Sequence, residues 1–146
     1  MKRTIHTLAA LSLCVASLDA FAAPPAVSNC WVRLLPGNLP SGAYFDVTNP
    51  GSAAIEIESV DSDAFGMAML HRTQRNGSTS TMEMVHTATV PANGTLKFAP
   101  GGYHVMLEQP KQPVAIGSTI ALTFTFGDGE KTTAQCAVKS PATMVK

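Results

Sequence analysis

The sequence predicts an all-β fold, a sandwich or barrel, and three observations carry that expectation. Turn signals recur every 8 to 12 residues along the chain. The stretches between them are short and rich in β-branched and aromatic residues, which suit a pleated, half-buried surface. No window long enough for a helix repeats its apolar residues at helical spacing without an interrupting Gly or Pro.

The strands are expected in the following order. Residues 30–35 stop at Pro36-Gly37, and 43–48 stop at Asn49-Pro50-Gly51. Trp31, Tyr44 and Phe45 in these two segments are expected in the core or at its rim, because large aromatic side chains normally serve packing. Residues 54–60 follow, with Ile55 and Ile57 alternating with Glu56 and Glu58. Residues 67–73 and 79–89 flank Asn76-Gly77, a dipeptide that signals a hairpin. Residues 95–98 and 103–107 are set off by Asn93-Gly94 and Pro100-Gly101-Gly102. In 119–126, Ile120, Leu122, Phe124 and Phe126 alternate with small or hydroxylated residues, as one buried sheet face requires. Residues 131–138 complete the set after Gly127-Asp128-Gly129. No internal repeat or linker divides the chain, so one domain is expected.

That domain is expected to span residues 24–146. Residues 1–23 read as a secretory leader: basic Lys2 and Arg3, an apolar run, then Ala20-Phe21-Ala22-Ala23. The run is shorter than the roughly 20 residues that cross a bilayer, so stable membrane insertion is not expected. Export from the cytoplasm is. Without the leader the formal charge falls from 0 to −1, because Lys2, Arg3 and Asp19 leave with it. A nucleic-acid binder needs a basic surplus, and this chain has none. Cys30 and Cys136 remain, near the two ends of the exported chain, and in an oxidising compartment a disulfide between them is expected.

Five of the chain's 7 methionines fall between residues 67 and 106: Met67, Met69, Met82, Met84 and Met106. His71, His86 and His104 share that window. A hairpin centred on Asn76-Gly77 would set His71 opposite Met82, Met69 opposite Met84 and Met67 opposite His86, all on one face. On the next strand His104 and Met106 would point the same way. His71, Met82, His104 and Met106 would then offer two imidazoles and two thioethers. Thioether is a soft, neutral donor that favours Cu(I), and the absence of Asp or Glu from the set argues against hydrolytic zinc. Met84 stands as a possible outer or alternative ligand. Met67 and Met69 are expected as core filler, and His86 as a structural residue at the end of the face.

The spacing of His71, Met82, His104 and Met106 resembles the signature of the periplasmic copper chaperones of the Cu(A)-assembly type (PCuAC). The resemblance extends to Cys30-Trp31-Val32-Arg33, Ala43-Tyr44-Phe45, Thr48-Asn49-Pro50-Gly51, Pro100-Gly101-Gly102-Tyr103 and Phe124-Thr125-Phe126-Gly127-Asp128-Gly129. It implies a cupredoxin-like Greek-key β-sandwich; no Gly-x-Ser-x-Gly, His-Glu-x-x-His, phosphate-loop or dinucleotide motif occurs, so an enzyme is not expected. It further implies one Cu(I) held by those four residues and passed by ligand exchange to copper-accepting proteins of cytochrome c oxidase assembly. The Cys30–Cys136 pair reads as a structural addition to that pattern, and the C-terminal tail has only Met144 as a soft donor, which makes a second copper site unexpected. Two other functions stay open on the residues alone. One is an electron-transfer cupredoxin, although Cys136-Ala137-Val138-Lys139 lacks the Cys-His-Met loop of a blue-copper site. The other is a metal-free immunoglobulin-like module whose methionine face contacts a protein.

Overall fold

A computed structural model describes residues 23–143, so all of the expected leader except Ala23 lies outside the described residues, as does Met144. The fold is all-β: β1 (Ala26–Arg33), β2 (Ser41–Asn49), β3 (Ile55–Ser62), β4 (Phe65–Asn76), β5 (Thr79–Met84), β6 (Ala88–Val90), β7 (Gly94–Phe98), β8 (Tyr103–Pro110), β9 (Thr119–Phe126) and β10 (Lys131–Lys139). Each expected strand is present. The stretch 79–89, expected as one strand, is two. The Val85 amide still donates to the Leu70 carbonyl at 2.9 Å, and the chain then leaves β4. Ala88 and Val90 turn inward on β6 and pair with Ile57 and Ile55 of β3. Val85-His86-Thr87 contains no Gly or Pro, so composition does not mark the break.

The hydrogen-bonded order is β5-β4-β8-β7-β2-β1-β10-β9-β3-β6, with β8 also paired to β2. This ladder folds over on itself as a cupredoxin-like sandwich. Leu70, Val105 and Leu107 face inward from one leaf; Val60, Leu122, Phe124 and Phe126 face inward from the other. Phe45 lies between them, stacked on Phe98 at 4.3 Å and edge-on to Phe124 at 4.7 Å. Along β9 the expected alternation holds in full, with residues 120, 122, 124 and 126 buried. The leaves meet where β1 runs parallel to β10. A Cys30–Cys136 disulfide ties these two strands there, with Cα atoms 4.5 Å apart. No helix among the described residues is long and apolar enough to cross a membrane.

Asn49, at the end of β2, is buried and fixes the loop after it. Its side-chain oxygen accepts from the Gly51 amide at 2.9 Å, and its Nδ2 donates to the Ala53 carbonyl at 2.8 Å. Asn49→Ala removes both hydrogen bonds to these part-buried backbone groups, so a loss of about 1 kcal/mol is expected in denaturant unfolding. A loss below about 0.5 kcal/mol would show that water replaces the side chain there.

Candidate metal centre

The candidate donors lie on the outward face of β5, β4 and β8, three adjacent strands. On β4, inward Leu70 forces its neighbours Met69 and His71 outward. On β8, buried Val105 and Leu107 do the same for His104 and Met106. The register sets Met69 opposite Met106 and His71 opposite His104. The two imidazole rings approach edge to face, with centroids 5.7 Å apart.

The hairpin register differs from the expected one by two residues. Asn76 pairs with Thr79, which leaves Gly77-Ser78 as the turn. Gly77 has φ +64°, while Ser78 is absent from the left-handed region. Gly at the first turn position with positive φ is the type II′ pattern, and it competes with the Asn-Gly type I′ turn assumed from sequence. His71 therefore faces Met84, and Met82 faces Thr73. Because the shift is even, both methionines stay on the expected side of the sheet. Met82 sits diagonally from His71 on the outermost strand. Both hairpin methionines are exposed, 53% for Met82 and 60% for Met84. His86 lies past the end of β5, exposed, and has no ladder partner opposite Met67.

Core roles expected for Met67 and Met69 do not hold. Met67 is exposed, and its sulfur accepts from Gln109 Nε2 at 3.0 Å. Met69 is half-buried on the donor face, between Met67 and His71. Trp31 and Tyr44, expected at the core or its rim, lie on this same outer side at the rim. Their rings are 4.6 Å apart, with the Arg33 guanidinium over both and the Lys139 ammonium over Trp31. Tyr44 reaches to 6.5 Å from His104, centroid to centroid. Its hydroxyl leans over Gly42, where a Cβ would sit 2.7 Å from it.

One nitrogen of each central imidazole is buried without a hydrogen-bond partner: Nδ1 of His71 and Nε2 of His104. The other nitrogen of His104, Nδ1, lies 3.1 Å from the Gly102 carbonyl. A carbonyl can only accept, so that contact fixes the proton on Nδ1 and leaves a lone pair on Nε2. This is the arrangement that orients metal-binding histidines generally. Buried polar atoms are ordinarily satisfied, so two orphans on facing rings mark a place built for something else. Among the described residues no three His, Cys, Asp or Glu side chains gather as a metal-binding group. Thioethers make up most of the other donors on this face, with the Glu108 carboxylate at its end, opposite Met67.

Burial pushes the His71 imidazole below its ordinary range; the neighbouring His104 adds to the effect and Glu108 opposes it. Above about pH 6.5, the ordinary imidazole value, folded and unfolded chains both keep His71 neutral. Below it the unfolded chain takes up a proton that the fold resists, so stability falls with acid until the lowered folded value is passed. His71→Gln is expected to flatten that decline, measured by urea unfolding of the metal-free protein at several pH values. Identical slopes for variant and wild type would contradict the assignment.

The sequence pattern did not distinguish the outward placement of Met69, beside His71, or that of Glu108, opposite Met67.

The fold defines a class, the cupredoxin-like sandwich, and solved PCuAC domains share it. The copper-bound PCuAC domain from PmoF2 superimposes with a TM-score of 0.69 at 21% identity, covering 82% of this chain and 96% of that one. The solution structure of Cu(I)-DR1885 from Deinococcus radiodurans gives a TM-score of 0.63 at 29% identity, covering 82% of this chain and 81% of that one. The LpqE-like lipoprotein family model matches residues 25–138, and the chain belongs to that family. Its relative Lxx21020 from Leifsonia xyli subsp. xyli (strain CTCB07) is 34% identical over 140 residues, which is 90% of this chain and 84% of the relative.

Proposed function

We propose that this protein is an exported, periplasmic copper carrier and not an enzyme. One Cu(I) is held by His71, Met82, His104 and Met106 and is passed to a copper-accepting protein of cytochrome c oxidase assembly. The observation that carries the reading is the pair of buried, unpartnered nitrogens on facing imidazoles, set in a field of thioethers. Two neutral imidazoles and two thioethers suit a soft monovalent ion. The likeness to copper-bound and Cu(I)-bound domains supports the same choice.

An exposed thioether such as Met82 suits delivery, because an incoming thiolate can displace it without unfolding the site. In that step one copper–sulfur bond breaks as another forms, and copper stays Cu(I). An electron-transfer cupredoxin is disfavoured because Cys30 and Cys136 are joined, so neither offers the thiolate that blue copper requires. The test is Cu(I) titration under a non-coordinating reductant, followed by native mass spectrometry. One tightly held Cu(I) per chain supports the carrier. No retained copper would favour the metal-free binding module.

A further inference from the structure

We infer that Met69 is a fifth soft donor of this site, an inner thioether that holds the cuprous ion when Met82 is withdrawn. The inference rests on the copper-carrier reading and adds a ligand that the four-residue spacing does not contain.

The β4–β8 register places Met69 directly opposite Met106 and His71 directly opposite His104. Opposed Cβ atoms lie about 4.5–5.5 Å apart. Successive same-face residues are about 6.6 Å apart along a strand. These four side chains therefore form a two-by-two block on one face of two adjacent strands, β4 and β8. Each corner carries a soft or borderline donor, and the block is an N2S2 set by itself. Met82 belongs to a different part of the sheet: it is one row away, opposite Thr73, on an edge strand with one neighbour.

Burial separates the two methionines further. Met69 and Met106 are both half-buried, whereas Met82 is 53% exposed. On its other side Met106 faces Gly42 of β2, which has no side chain to offer, and the Tyr44 hydroxyl occupies the space above that glycine. Across the β4–β8 ladder, the thioether paired with Met106 is Met69.

The exchange is balanced. The bond from copper to Met82 sulfur breaks, the bond to Met69 sulfur forms, both ligands are neutral, and no electron or proton moves. Met82 is then free to give way to an acceptor's ligand while the ion keeps its two imidazoles and two half-buried thioethers.

The test uses Ag(I), a soft monovalent probe stable in air, and Cu(I) under reductant, on protein labelled with 13C at the methionine methyls. Met69→Leu, which nearly conserves volume, assigns the Met69 signal. On adding one equivalent of Ag(I), the methyl signals of Met69 and Met106 are expected to shift along with that of Met82. Competition titrations with Cu(I) complete a double-mutant cycle. Met82→Leu and Met69→Leu should each weaken binding by about tenfold or less, and the double variant by clearly more than the product of the two. A Met69 methyl that does not move, with a double variant no weaker than Met82→Leu, would overturn the inference and leave the carrier intact. A wild-type protein that takes up neither ion would overturn both.

Discussion

Replacing His104 by alanine is expected to lower Cu(I) affinity by at least about 100-fold, roughly 2.7 kcal/mol. Among the described residues, His104 is the best prepared candidate donor. It is 5% exposed, its ring is set by the contact of Nδ1 with the Gly102 carbonyl, and its Nε2 has no partner. Outer residues that merely orient a ligand are worth 10–100-fold in metal affinity, so losing the ligand itself should reach the top of that range or exceed it. Alanine also removes packing beside Tyr44, and the variant could lose copper because it loses structure. Met106→Leu separates the two effects. It removes the sulfur, nearly keeps the volume, and should cost less than about 1.5 kcal/mol of stability while still weakening Cu(I) binding. Native-like unfolding of Met106→Leu with unchanged Cu(I) affinity would exclude Met106 from the site.

The second large effect concerns the seam between the leaves. Changing both Cys30 and Cys136 to alanine is expected to destabilise the domain by up to about 4.7 kcal/mol, the chain-entropy value for a loop of about 100 residues. The bridge spans 106 residues of sequence, so it restrains nearly the whole unfolded chain. Cys136 is fully buried, and its removal adds a small packing loss. A typical domain is stable by 5–15 kcal/mol, so the loss is large enough to leave much of the population unfolded at warm temperature. Both cysteines point away from the donor face, so Cu(I) stoichiometry should be unchanged while the domain is folded. A double variant as stable as wild type in urea unfolding would show that the parallel β1–β10 pairing holds the seam without the bridge.

The parts of this fold that were legible in the sequence are those governed by local chemistry. The alternation of Ile120, Leu122, Phe124 and Phe126 reads directly as a buried face, and the structure buries all four. Likewise, His71 and His104 were expected on one face, and they meet at 5.7 Å. What failed depended on competition between nearly equal local choices. Asn76-Gly77 and Gly77-Ser78 are both good two-residue turns, and only the pairing of the whole hairpin decides between them. The choice moves Met84, not Met82, beside His71. The split of residues 79–89 was invisible for a related reason: what ends β5 is the departure of the chain toward β3, a long-range pairing that no residue at 85–87 announces. The outward placement of Met69 was not legible because a methionine on a strand looks the same whether it faces a core or the outer side; its partner Met106, 37 positions away, tells them apart.

The most direct measurement is copper X-ray absorption on the Cu(I)-loaded protein. A first shell of two imidazole nitrogens and two thioether sulfurs, with no oxygen, is the expected result. A shell of nitrogen and oxygen alone would contradict a soft site on the β5–β4–β8 face, and with it the role of carrier.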